Sequence, residues 1–105
     1  MKRREVVLRP LALADLTKLH DYIAAEAGEA VAGGYIERIE AACRALETFP
    51  ERGTRRDDLR PGIRTIGFER RVTIAFEVKQ TQVAIVRVFY GRRDYAHALQ
   101  DETEA

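Results

Sequence analysis

Val83–Tyr95 reads VAIVRVFYGRRDY, and this stretch decides the fold. It is an apolar, β-rich run that stops at Gly91-Arg92-Arg93-Asp94. Strict alternation places Ala84, Val86, Val88 and Tyr90 on one face. Val83, Ile85 and Phe89 then fall on the other, with Arg87 among them. A strand apolar on both faces is normally central in its sheet. A charge inside such a strand is costly unless it is paired or wet. The pattern therefore predicts a central strand that carries one arginine at mid-sheet and delivers two more at its end.

Working outward, Val72–Val78 alternates cleanly, with Val72, Ile74, Phe76 and Val78 against Thr73, Ala75 and Glu77. The polar Lys79-Gln80-Thr81-Gln82 joins it to the last strand, which predicts a hairpin. Pro61-Gly62 is a turn signal, and Ile63–Phe68 reads as a weaker strand after the polar loop Glu51–Arg60. Earlier, the period changes to that of a helix. Tyr35, Ile39, Ala42, Leu46 and Phe49 follow a buried 4-3-4-3 stripe from about Glu29 to Thr48, and Pro50 ends it. Ala12, Leu16, Leu19 and Ile23 form a second stripe from Leu11 to about Ala27, closed by Gly28. Arg4–Arg9 is short and β-prone, and Pro10 stops it. Two helices joined by so short a link pack as an antiparallel hairpin. The expected order is β-α-α-β-β-β. This is an α+β fold with an N-terminal helical hairpin on one face of an antiparallel sheet. Residues 1–99 make one domain, and residues 100–105 form an acidic tail.

The 105 residues suit one compact domain. A net charge of +1 hides a strong asymmetry. Residues 11–51 hold three basic and eight acidic residues, whereas residues 52–95 hold eleven basic and five acidic ones. The helices are thus a poor nucleic-acid surface. The basic block is nearly all arginine, which favours bidentate contact with carboxylates or phosphates. No apolar run is long enough for a membrane span, and the basic N-terminus lacks the apolar stretch of a secretory signal. The single Cys43 gives no sign of an oxidising compartment. A cytoplasmic protein is the expectation.

Catalytic motifs are sparse. No phosphate-binding loop, dinucleotide fingerprint, paired-cysteine motif or zinc-protease motif occurs. His20 and His97 have no spacing that pairs them, and Cys43 reads as a small buried hydrophobe. Neither a metal nor a cofactor is called for.

Four stretches, in this order, are similar to one known family. They are Asp15-Leu16 with Asp21-Tyr22-Ile23, then Phe49-Pro50-Glu51-Arg52-Gly53, then Gly62-Ile63-Arg64-Thr65, and finally Gly91-Arg92-Arg93-Asp94. Together they resemble the ParE branch of the ParE/RelE superfamily of bacterial toxins, over about residues 5–99. The resemblance implies a toxin of a type II toxin–antitoxin pair. It implies a ParD-like antitoxin as partner and DNA gyrase as target. Sequence-specific nucleic-acid binding is not expected.

Two readings of the same residues follow. In the first, the chain is a non-enzymatic inhibitor, and Arg64, Arg71, Ile85, Arg87, Phe89, Arg92 and Arg93 contact the target or the antitoxin. Ile85 and Phe89 would then lie exposed beside Arg87, where an antitoxin helix and an added strand cover them. In the second, the chain is a RelE-like ribosome-dependent messenger-RNA endonuclease. Arg64, Arg71, Arg87 and Arg93 then stabilise the phosphorane charge, and Tyr90 or Tyr95 exchanges a proton. An ordinary tyrosine, with a pKa of about 10, is a poor base at neutral pH.

Overall fold

A computed structural model describes residues 4–91 and Leu99. β1 (Glu5–Leu8) leads into α1 (Pro10–Ala27) and α2 (Glu29–Arg44). A 3-10 turn at Ala45–Glu47 follows, then β2 (Thr54–Arg55), β3 (Ile63–Phe68), β4 (Val72–Val78) and β5 (Gln82–Tyr90).

Local chemistry explains the breaks. Pro10 occupies the first turn of α1, where a missing N–H costs nothing. Gly28 separates the helices with a φ of +97°, and its N–H closes α1 on the carbonyl of Ala24 at 2.9 Å. At the β3–β4 turn, Glu69 and Arg70 both take positive φ, 49° and 66°. The hairpin twist demands that mirror-image turn, for which Asn-Gly is the usual choice. Here Arg38 of α2 grips the Glu69 carboxylate at 3.1 and 3.4 Å.

The sheet runs β1-β5-β4-β3-β2. β3, β4 and β5 form an antiparallel meander, but β1 lies parallel to β5, with Glu5 opposite Gln82 and Leu8 opposite Ile85. The sheet is therefore mixed rather than wholly antiparallel. The helical hairpin and the three strands β2–β4 lie between β1 and β5 in the chain, so no tight turn sets their relative direction. β2 is a two-residue edge strand inside the loop that reads as irregular in the sequence.

α1 and α2 cover one face. Ala12, Leu16, Leu19, Ile39, Cys43 and Leu46 meet Ile74, Phe76, Val83, Ile85 and Val88 there. A smaller cluster of Ile63, Ala75, Val86, Phe89 and Leu99 lies apart from it. A β-bulge divides β5 between the two. Ala75 pairs with Arg87 but Phe76 pairs with Ile85, which leaves Val86 as the extra residue. The bulge flips the alternation, so Val88 joins Ile85 while Phe89 joins Val86. Phe49 does not continue the stripe of α2. The change to 3-10 geometry after Arg44 shifts the helical phase, and Phe49 is more than half exposed.

Cys43 is 1% exposed, and burial pushes its thiol up to about 11. Thiolate-directed reagents should therefore leave Cys43 unmodified in native protein at pH 8. Reaction should appear only with urea-induced opening, followed by mass spectrometry against urea concentration. Rapid native labelling would contradict this packing.

Candidate functional site

β1 ends after four residues, but β5 continues past it. Arg9 N–H donates to the Ile85 carbonyl at 3.0 Å, and there the strand pairing stops. The first turns of α1 then bring Asp15 to the exposed edge. One carboxylate oxygen accepts from Val88 N–H at 2.8 Å. The same carboxylate receives Arg87 through Nε at 2.8 Å and through a terminal nitrogen at 2.9 Å. The Arg87 guanidinium also lies over the Phe89 ring, 5.0 Å from its centroid. Asp15 thus completes the edge of β5 and neutralises the arginine, with both side chains largely buried. A bidentate, charge-assisted pair of this kind is among the stronger polar contacts.

Arg87 is therefore held between α1 and the sheet: the charge that a central strand cannot leave unpaired is matched from the next layer. The expected exposure of Ile85 and Phe89 is corrected. Both are fully buried, because the bulge sends one to each core.

A second network fixes the other end of β4. Glu77 is 8% exposed, yet it receives Arg9 at 3.0 Å, Arg60 at 2.6 Å and Lys79 at 3.2 Å. Burial pushes its carboxyl up, but the bond from Lys79 and the charges of Arg60 and Arg9 outweigh it and hold the pKa below the ordinary value.

The remaining candidates do not converge. Arg64 lies near the start of β3, and one terminal nitrogen donates to the carbonyls of Glu51 and Arg52, both at 3.3 Å. Arg71 is exposed beside the β3–β4 turn, at the opposite end of that strand. Four rungs of ladder between them span about 13 Å. Tyr90 packs on the Tyr22 ring, with centroids 5.9 Å apart. Tyr35, which the sequence places in the core stripe, has its hydroxyl pKa raised by burial and by Glu69. That is the wrong direction for a base. Arg92, Arg93, Tyr95 and His97 lie outside the described residues. Among the described residues, no group of His, Cys, Asp and Glu is placed to hold a metal.

Exposed apolar side chains occur on and beside the helical hairpin instead. Leu13, Tyr22, Val31 and Phe49 are each more than half exposed. Leu13, Leu16, Thr17, His20, Ile36 and Glu40 line a shallow groove of about 340 Å³ between α1 and α2. The groove was not legible as a site, because its residues read as ordinary positions flanking two amphipathic stripes.

Comparison with known proteins now identifies the framework. The family described as "ParE toxin of type II toxin-antitoxin system, parDE" matches residues 6–95. The chain belongs to this family. It is 31% identical over 100 residues to Toxin ParE3 of Caulobacter vibrioides (strain ATCC 19089 / CIP 103742 / CB 15), covering 95% of this chain and 98% of that toxin. Among solved structures, it resembles a chain of the chromosomal ParDE TA system from P. aeruginosa, with a TM-score of 0.76. That match has 24% identity and covers 86% of this chain and 98% of the other. A chain of the RelBE2 toxin–antitoxin complex from Mycobacterium tuberculosis superposes with a TM-score of 0.56. It is 22% identical, with 84% of this chain and 98% of that one covered. In this ParE-family chain the pairs just described tie α1 to the sheet and draw the segments around Glu77 together. No helix among the described residues is long and apolar enough to cross a membrane.

Two measurements check these assignments. Asp15→Ala should lower the unfolding free energy by about 3 kcal/mol, read from urea midpoints, because it removes the carboxylate that faces a largely buried guanidinium. Asp15→Leu combined with Arg87→Met should recover most of that loss. Glu77 sets an acid limit. Its folded pKa lies below the ordinary 4.5, so the unfolded chain binds the proton more readily between the two values. The stabilisation is complete above 4.5 and is lost as pH falls through the folded value. Glu77→Gln should be less stable at pH 7 and should show a flatter decline in acid.

Proposed function

We propose that this ParE-family toxin is a protein inhibitor of DNA gyrase, held silent by a ParD-like antitoxin. The observation that carries the reading is the placement of the cations a nuclease would use. Arg87 is bound to Asp15, and Arg64 and Arg71 lie at opposite ends of β3. A phosphorane needs its stabilising donors within hydrogen-bond reach of one centre, and these three do not share one.

What is left suits recognition of another protein. Arg71 and Arg64 are candidate target contacts, as are Arg92 and Arg93, which lie outside the described residues. The groove between α1 and α2 offers Leu13 and Ile36 to an amphipathic antitoxin helix, the usual occupant of such a groove. Glu40 and His20 at its rim supply polar contacts that fix the helix in place.

Purified toxin added to gyrase, ATP and relaxed plasmid should block supercoiling, and an excess of antitoxin should restore it. Arg71→Glu should weaken inhibition about tenfold or more while leaving the urea midpoint unchanged. In a translating extract, ribosome-bound messenger RNA should stay intact. Cleavage of that RNA with supercoiling unaffected would overturn the proposal in favour of the nuclease.

A further inference from the structure

A cavity of about 420 Å³ opens at the end of the sheet where β4 finishes and β3 begins. Arg4, Arg55, Arg64 and Lys79 line it, with Glu51 as the one acidic side chain. These cations come from four separate places: the residue before β1, β2, β3 and the β4–β5 turn. The two stretches Phe49–Gly53 and Gly62–Thr65 meet here. Gly53 makes the meeting possible, since a Cβ at that position would lie 2.3 Å from the Thr65 carbonyl oxygen. Its φ of +75° adds a second reason for glycine.

The cavity orients two of its three arginines, Arg4 and Arg64, by backbone carbonyls. Arg64 is held by the carbonyls of Glu51 and Arg52, and Arg4 donates through Nε to the Lys79 carbonyl at 2.8 Å. A carbonyl fixes a guanidinium in place but leaves its charge, and most of its five N–H groups, available. Arg55 and Lys79 do have carboxylate partners, in Asp57 at 3.0 Å and Glu77 at 3.2 Å. Neither Arg4 nor Arg64 has one among the described residues. Preset guanidinium forks around a concave space match an anion with several oxygens and more than one charge. A carboxylate would satisfy a single fork, whereas a phosphate can take two. The volume lies within the range of small-ligand sites.

We propose that this cavity binds the phosphate group of a nucleotide or of a nucleic-acid chain. Such a contact reads no sequence. It shares Arg64 with the gyrase reading but stands apart from it in the test, since binding is measured with no gyrase present.

The test uses the full chain and four probes: inorganic phosphate, adenosine monophosphate, a short single-stranded DNA and a polyglutamate peptide. Binding is followed by calorimetry and by chemical shifts of the arginine Nε–H groups. Phosphate or the mononucleotide should bind and shift the Arg64 and Arg4 signals. Arg64→Gln and Arg4→Gln should each weaken binding about tenfold, as should Arg64→Lys, which keeps the charge but loses the fork. Arg70→Gln, at the far end of the hairpin, should not change it. If the oligonucleotide binds much more tightly with the same arginine dependence, the source is a nucleic-acid chain; equal affinity assigns it to free nucleotides. The proposal fails if no phosphate probe binds at millimolar concentration. It also fails if Arg64→Gln binds like wild type with an unchanged urea midpoint, or if polyglutamate alone binds.

Discussion

The structure depends on one carboxylate placed at the edge of a strand that its neighbour leaves half uncovered. β1 is too short to pair with all of β5. Asp15 gives the Val88 N–H an acceptor and the Arg87 guanidinium a carboxylate in the helix layer. Desolvating either costs free energy, and desolvating the charge costs more. By accepting from both, Asp15 lets α1 settle against β5 closely enough for Leu16 and Leu19 to reach the core. A polar pair thereby sets the position in which apolar burial becomes effective. Its net energy is modest against two hydrophobic residues of similar shape, but such residues would fix no particular register.

The helical half is acidic and the strand half basic, and ion pairs cross between the two layers. Asp15 to Arg87 and Glu69 to Arg38 are two such ties, the second running in the opposite sense. Within the sheet, Glu77 collects Arg9, Arg60 and Lys79 and draws three segments together. Arg60 and Arg87, two arginines of the basic block, are therefore internal fasteners. The cations of the end cavity differ, because backbone carbonyls hold two of them.

Much of the fold could be read from the sequence because it is written in short-range patterns. The limits of β3 and β4 follow from turn residues and alternation, and α1 ends at its glycine as expected. The misses have more than one cause: the 3-10 turn after Arg44 is local, while others involve pairings that no local pattern records. The bulge at Val86 is invisible to strict alternation, so Phe89 and Val88 exchanged cores. Arg87 looked available because its partner lies 72 residues earlier. The parallel seating of β1 also follows from no local signal. The candidate site suffered most, since a mid-sheet arginine has the same local signature whether it binds a partner or a neighbouring helix.

Because β1 lies beside β5, the first strand among the described residues is completed by the last. During synthesis, residues 5–8 leave the ribosome long before residues 82–85 exist to receive them. The helical hairpin can form early, but its apolar face has no finished sheet to cover. Contacts this far apart in sequence are slow to close. The nascent chain therefore cannot assemble its folded surface piecemeal. Folding of the sheet waits for β5 to be made, which leaves an interval in which a partner made nearby can meet the chain before the sheet is closed.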